Sequence, residues 1–255
     1  MIEPIRLGTR GSALALWQAN TIRDLIIQAH PEQPVELLIA DSQGDKDQKT
    51  PLAALGGTGV FVKQLEAELL AGNVDLAVHS AKDLPASMPT GLELAAAPVR
   101  GVVNDALIMS NGNSLSDLPT GSVVGTSSPR RVASLKHIRP DLKTVNIRGN
   151  VQTRIRKVDE GEVDATLLAL VGLQRLGLES RVNDTLPLHQ FLPAAGQGIV
   201  AVQIRADDNR LQKLLQPINH KATWKCLIAE RALLRRLNAG CHAALGALST
   251  MQSEE

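Results

Sequence analysis

Apolar positions along the chain follow two alternating spacings. Short β-branched runs at Ile5 to Gly8, Val35 to Ala40, Val74 to His79, Val123-Val124, Thr144 to Ile147 and Ile199 to Ile204 read as strands. Longer stretches with apolar residues three and four apart, Ala13 to Ala29, Phe61 to Ala71 and Thr223 to Leu237, read as helices, and another helix opens at Pro129. This alternation predicts βαβ units and an α/β fold with mixed, largely parallel sheets. One echo bears on domain count: Gly72-Asn73-Val74-Asp75 and Gly161-Glu162-Val163-Asp164 both place Gly-x-Val-Asp at the mouth of a strand. Two similar lobes follow, with Pro98 to Asn104 carrying the chain across and Pro193 to Gly198 leading it back. The helix over Thr223 to Leu237 spreads Trp224, Leu227, Ile228, Leu234 and Leu237 over one apolar face and stops at Ala239-Gly240.

Composition narrows the function classes. The 255 residues carry a net charge of +1, too little for a bulk field that holds nucleic acid, so any basic function is local. Two Trp, two Phe and no Tyr leave little for base stacking. No apolar run reaches membrane-spanning length, and the first residues lack the features of an export signal, so a cytoplasmic protein is expected. Cys226 and Cys241 lack metal-ligand spacing, and either one matters only as a thiol. Cys226 lies inside a helix and reads as a small hydrophobe, whereas Cys241 follows a helix stop; from spacing alone both read as structural.

Strand ends here run repeatedly into polar loops that offer Arg, Lys or Ser at a helix start, where free N–H groups favour anions. Ser12 suits the cap of the helix at Ala13 with Arg10 beside it; Ser128 suits the cap before Pro129, with Thr126, Arg130 and Arg131 adjacent; Arg148-Gly149-Asn150 precedes another helix, with Arg154 one turn inside. A lone Arg is usually a solvated charge, but six Arg between 130 and 156 point to a polyanion, because Arg grips carboxylates bidentately. Gly56-Gly57-Thr58-Gly59 lacks the Gly-Lys-Ser/Thr ending of a nucleotide loop. Asp83, in Ser80-Ala81-Lys82-Asp83-Leu84-Pro85, sits where a strand's C-terminal end delivers it; a catalytic carboxylate and a plain Lys-Asp surface turn have equal weight from spacing alone.

Over nearly its whole length the chain resembles the hydroxymethylbilane synthase (porphobilinogen deaminase) family. The motifs that carry the resemblance are Thr9-Arg10-Gly11-Ser12-Ala13-Leu14-Ala15-Leu16-Trp17-Gln18-Ala19, Val78-His79-Ser80-Ala81-Lys82-Asp83-Leu84-Pro85, Gly125-Thr126-Ser127-Ser128-Pro129-Arg130-Arg131, Arg148-Gly149-Asn150-Val151-Gln152-Thr153-Arg154 and Ala239-Gly240-Cys241. The resemblance implies two lobes like those of periplasmic binding proteins plus a small α/β third domain. The expected boundaries are 1–99 with 199–217, 104–193, and an incomplete cofactor-bearing segment at 218–255. It also implies a transferase of porphyrin, tetrapyrrole and heme biosynthesis that condenses four porphobilinogen molecules, with loss of ammonia, on a dipyrromethane cofactor. That cofactor is held by a thioether to Cys241, and the product is the linear tetrapyrrole hydroxymethylbilane. Asp83 then matches the catalytic carboxylate; Lys82, Thr126, Ser128, Arg130, Arg131 and Gln197 match cofactor contacts; Arg10, Ser12, Arg148, Arg154 and Arg175 match contacts to substrate carboxylates. Porphobilinogen and the growing polypyrrole chain are the implied partners of a monomer that needs no metal, nucleic acid or membrane.

The chain departs from the family pattern in two places. Ala54 and Thr58 stand where bacterial relatives usually carry lysines, and 14 residues follow Cys241, fewer than a complete third domain needs. Two other readings stay open: a non-catalytic two-lobe anion-binding module, which needs neither Asp83 nor Cys241, and an inactive truncated descendant of the enzyme.

Overall fold

The computed structural model describes residues 2–40, 59–239 and 243–251. In chain order the elements are β1 (Ile5–Arg10), α1 (Ala13–Ala29), β2 (Val35–Ala40), α2 (Gly59–Leu70), β3 (Leu76–Ser80), β4 (Leu92–Ala96), β5 (Asp105–Met109), β6 (Val123–Gly125), α3 (Pro129–Ile138), β7 (Lys143–Val145), α4 (Val151–Asp159), β8 (Ala165–Ala169), α5 (Leu170–Arg175), β9 (Asp184–Thr185), β10 (Val200–Arg205), α6 (Asn209–Leu215) and α7 (Lys221–Arg236). They form two compact units, one of Met1–Gly101, Gly198–Cys241 and Ser249–Glu255, the other of Val102–Gln197 and His242–Leu248. No helix among the described residues is long and apolar enough to cross a membrane.

Each unit holds a five-stranded sheet built on one plan, β2-β1-β3-β10-β4 in the first and β7-β6-β8-β5-β9 in the second. Four strands of each sheet run in one direction, three of them adjacent and paired in parallel, and one strand, β10 or β5, runs antiparallel to both its neighbours. The sheets are thus mixed, with antiparallel pairings as numerous as parallel ones. Parallel pairs need a crossover, which α1 supplies between β1 and β2 and α3 between β6 and β7. The antiparallel strands are those that begin just after the chain passes between units, at Gly101 and Gly198.

Burial follows position in the sheet. β5 is buried at every residue, whereas the edge strands β2 and β7 are not buried at any. Ala19, Ile22 and Ile26 of α1 lie on one helix face and pack with Ile5, Leu7, Leu76, Val202 and Ile204 in the first core. The second core gathers Leu107, Val124, Leu135, Leu167 and Leu186 around the fully buried Phe191.

The Gly-x-Val-Asp echo proves to be one structural device used twice. Gly72 and Gly161 adopt φ +73° and +71° at the end of a helix, a conformation open to glycine. The backbone N–H of Asp75 then donates to Arg6 O (2.8 Å) while its carboxylate accepts from Arg6 N (2.8 Å). Asp164 N donates to Val123 O (2.9 Å) and its carboxylate accepts from Val123 N (2.7 Å). Each aspartate therefore clips its strand to the start of the parallel neighbour and fixes the register.

Helix α7 differs from the expected pattern. Its buried stripe is Thr223, Cys226, Leu227, Glu230 and Arg231, while Ile228 and Leu237 are exposed. Leu227 and Trp224 pack on Ala81, Leu84, Ala97 and Ala201, but two charged residues complete the face. Glu230 accepts from both terminal nitrogens of Arg100, at 2.6 and 3.2 Å, and from Ser249 N and Oγ, at 2.9 and 3.0 Å. The apolar spacing misled because Glu230, bonded to Arg100 and Ser249, and Arg231, bonded to backbone carbonyls, are nearly as buried as Leu227.

Candidate functional site

In the second unit, eight of the residues singled out in the sequence divide between the sheet's C-terminal strand ends and the segment leading out of the unit. Thr126 follows β6 and is buried, its N–H donating to Val145 O at the end of β7 (2.8 Å). Ser128 caps α3, accepting from Arg131 N at 3.5 Å, and Asn150 caps α4, accepting from Thr153 N at 2.9 Å. Arg148 precedes the second cap, and Arg154, in the first turn of α4, donates through Nε to Gly149 O (3.0 Å). Arg175 ends α5, which follows β8, and burial pushes its guanidinium down to about 10. Three neighbouring parallel strands, β7, β6 and β8, thus deliver cations to one edge, the edge where open α/β sheets take ligands.

Arg130 and Arg131 occupy the first turn of α3, where the helix dipole disfavours cations, and both are buried. Their burial depends on a residue that no local motif marks. Asp105, the first residue of β5, is fully buried and splits its carboxylate between them: Arg130 Nη2 donates to Oδ2 at 2.8 Å and Arg131 Nη2 to Oδ1 at 2.7 Å. Gln197 adds a third bond to Oδ1 at 3.0 Å. Their other terminal nitrogens donate to Leu192 O and Leu167 O, both at 2.8 Å. Burial opposes ionisation of Asp105, but Arg131 and then Arg130 outweigh it and hold the carboxyl well below the usual range. Two guanidiniums against one carboxylate leave one positive charge in excess. Nε of each is buried without a hydrogen-bond partner among the described residues. By contrast, the concavity bounded by Met109, Ser110, Asp159 and Arg181 lies at the opposite end of β5 and contains none of the predicted residues.

The first unit repeats the arrangement. Arg10 ends β1, and Ser12 caps α1 by accepting from Ala15 N at 3.4 Å. From α1 the buried Gln18 donates to Ser80 Oγ at 2.8 Å, at the end of the neighbouring β3. A single 3-10 turn, Ala81–Asp83, then presents half-buried Lys82 and Asp83, with Ala81 and the following Leu84 buried beneath. Just before it, His79 is buried with Nε2 2.9 Å from Gln203 Oε1, while Gln203 Nε2 donates to the buried Glu66 at 3.1 Å. The amide oxygen only accepts, so His79 carries its proton on Nε2. Burial, with Arg10 adding to it against the Gln203 bond, pushes the imidazole down to about 4.

Cys226 is buried in α7, as its place in the apolar pattern implied. Cys241, Ala54 and Thr58 lie outside the described residues. No cluster of metal-ligating side chains occurs among the described residues.

Solved structures with this fold include the periplasmic VFT2 domain of BvgS from Bordetella pertussis, 14% identical over 90% of this chain and 92% of that one, with a TM-score of 0.52. A periplasmic substrate-binding protein of an ABC transporter from Coxiella burnetii is 16% identical, covering 94% and 100%, with a TM-score of 0.51. The fold is therefore that of the periplasmic-binding-like α/β proteins, here with cation-rich strand ends. Within that class the chain belongs to the porphobilinogen deaminase family: residues 5–213 match the family's dipyrromethane cofactor binding domain and residues 224–255 its C-terminal domain. A porphobilinogen deaminase from Syntrophomonas wolfei subsp. wolfei is 46% identical over 248 residues, 97% of this chain and 81% of its own length.

Proposed function

We propose that this chain is a hydroxymethylbilane synthase, a transferase that joins four porphobilinogen molecules, with loss of ammonia, on a covalently held dipyrromethane. Family membership carries the reading, and the excess positive charge at Arg130 and Arg131 supports it from the structure. The donor set fits the group: dipyrromethane bears acetate and propionate, and this cluster sets two arginines and an amide around a single acid, Asp105. Bound dipyrromethane supplies the nucleophilic pyrrole carbon onto which each unit is joined.

The chain's own residues divide the remaining work. Cys241 holds the cofactor as a thioether; Arg130, Arg131, Lys82, Thr126, Ser128 and Gln197 hold its carboxylates and ring edges. Arg10, Ser12, Arg148, Arg154 and Arg175 take the carboxylates of incoming porphobilinogen. Asp83 accepts pyrrole N–H bonds from porphobilinogen and, as an anion, stabilises the positive charge that develops as ammonia leaves. Residues 218–255 act as the cofactor-bearing segment, and the enzyme works as a cytoplasmic monomer. Incubation with porphobilinogen tests the reading: ammonia release with formation of hydroxymethylbilane is expected, and ligand binding without turnover would assign the chain to the anion-binding modules instead.

A further inference from the structure

We propose that Arg231 is a positioning residue for this reaction, gripping from α7 the backbone that follows Asp83; the proposal rests on the reading of Asp83 given above. Arg231 Nη2 donates to Pro85 O at 2.8 Å and to Ala86 O at 3.1 Å, two and three residues beyond the carboxylate. One residue type does both because a guanidinium nitrogen carries two hydrogens in a fixed plane. The turn is seated from below as well: Leu227, one helical turn before Arg231, packs with Ala81 and Leu84 on either side of Lys82 and Asp83. A polar latch and an apolar seat on the same face of α7 therefore bracket the five residues from Ala81 to Pro85.

The latch is an unusual choice on stability grounds alone. Arg231 is 4% exposed, and Nη1 is buried with no hydrogen-bond partner among the described residues. Glu66 offsets the charge from a distance, and Arg235 works against it. An apolar residue of similar volume would fill the space without a buried cation and an orphaned donor. Such a cost is retained where geometry matters, and the geometry fixed here is that of the Asp83 turn.

The test is a double-mutant cycle on the holoenzyme. Arg231→Gln removes the charge and, being shorter, draws the donor nitrogen away from Pro85 O and Ala86 O; Arg231→Lys keeps the charge and nearly the reach. With Asp83 present, Arg231→Gln should lower kcat roughly tenfold or more with KM for porphobilinogen changed less than about twofold, since misplacing a reacting group by a fraction of an ångström costs on this scale. Arg231→Lys should recover part of the loss. In an Asp83→Asn background the same Arg231→Gln change should cost less than about twofold, because a positioning residue has nothing left to position. Hydrogen exchange at residues 82 to 86 should quicken in Arg231→Gln. Equal losses in both backgrounds, or unchanged kcat and exchange in Arg231→Gln, would overturn the latch. If Arg231→Gln fails to fold, the Arg231→Lys cycle decides on the same criterion. Full turnover by Asp83→Asn alone would instead overturn the reading of Asp83 on which the latch depends.

Discussion

Replacing Asp105 with asparagine keeps the shape of the side chain and removes the charge that two buried guanidiniums share. Arg130 and Arg131 are 6% and 7% exposed, so water cannot take over from the carboxylate. Their remaining bonds, to Leu192 O and Leu167 O, are to neutral carbonyls. Breaking a buried ion pair from one side costs about 3–5 kcal/mol, because the partner is left charged and uncompensated. Here two partners are left, and the upper part of that range is expected for the cofactor-free protein. Urea unfolding read on the second unit, through hydrogen exchange of β5 and β8, measures the loss. Because Asp105 is held below its ordinary range, its contribution is complete above about pH 4 and is lost as pH falls through the depressed folded value, so the difference between wild type and Asp105→Asn should be constant from pH 5 to 8 and shrink under strong acid. Bound dipyrromethane, whose carboxylates are proposed to meet the same arginines, should reduce the cost. A loss below about 1 kcal/mol in the cofactor-free protein would show that Asp105 does not govern the cluster.

Other outcomes follow from particular residues. Asp83→Asn should retain covalent dipyrromethane by intact mass and turn over about 100-fold more slowly or worse, the usual scale for losing one placed electrostatic group; normal turnover would remove Asp83 from the mechanism. Arg130→Leu and Arg131→Leu should impair cofactor loading while Arg10→Leu keeps the cofactor and slows elongation; three identical phenotypes with full loading would count against that division. Buried neutral His79 must take up a proton on unfolding, so stability should decline as pH falls from about 6.5 towards 4, and His79→Gln should flatten that part of the profile; an unchanged slope would show that another group sets it. Glu230→Gln should loosen Ser249 and Arg100 together, seen as faster exchange near residue 249 and lower thermal stability, and protection equal to wild type would refute the link.

Local signals made much of the fold legible. The helix over Ala13 to Ala29 and the strand over Val35 to Ala40 match their observed bounds because their periodicity is uninterrupted, and Ser12 and Ser128 cap where their sequence context places them. The loop motifs located the cationic edges for the same reason, since a strand end, a cap and an Arg are adjacent in sequence. What stayed hidden is long-range. Asp105 meets Arg130 and Arg131 across 25 and 26 residues, Glu230 meets Arg100 across 130, and Arg231 meets Pro85 across 146. One signal for Asp105 was present: a lone acid heading the wholly apolar run Ala106 to Met109, which an all-buried strand tolerates only with a partner. The antiparallel placement of β5 and β10 also escaped, because strand direction is set by the chain's passage between units and leaves no mark in hydrophobic spacing.

The proposed function requires this chain to carry a dipyrromethane on Cys241 and to build on it. Intact mass of the purified, denatured protein, followed by peptide mapping, addresses that most directly. A covalent adduct of dipyrromethane mass is expected on the peptide containing Cys241, absent from Cys241→Ala, retained in Cys226→Ala, and growing by successive pyrrole units when porphobilinogen is supplied. An unmodified Cys241 in protein that converts porphobilinogen, or an adduct mapped to Cys226, would contradict it.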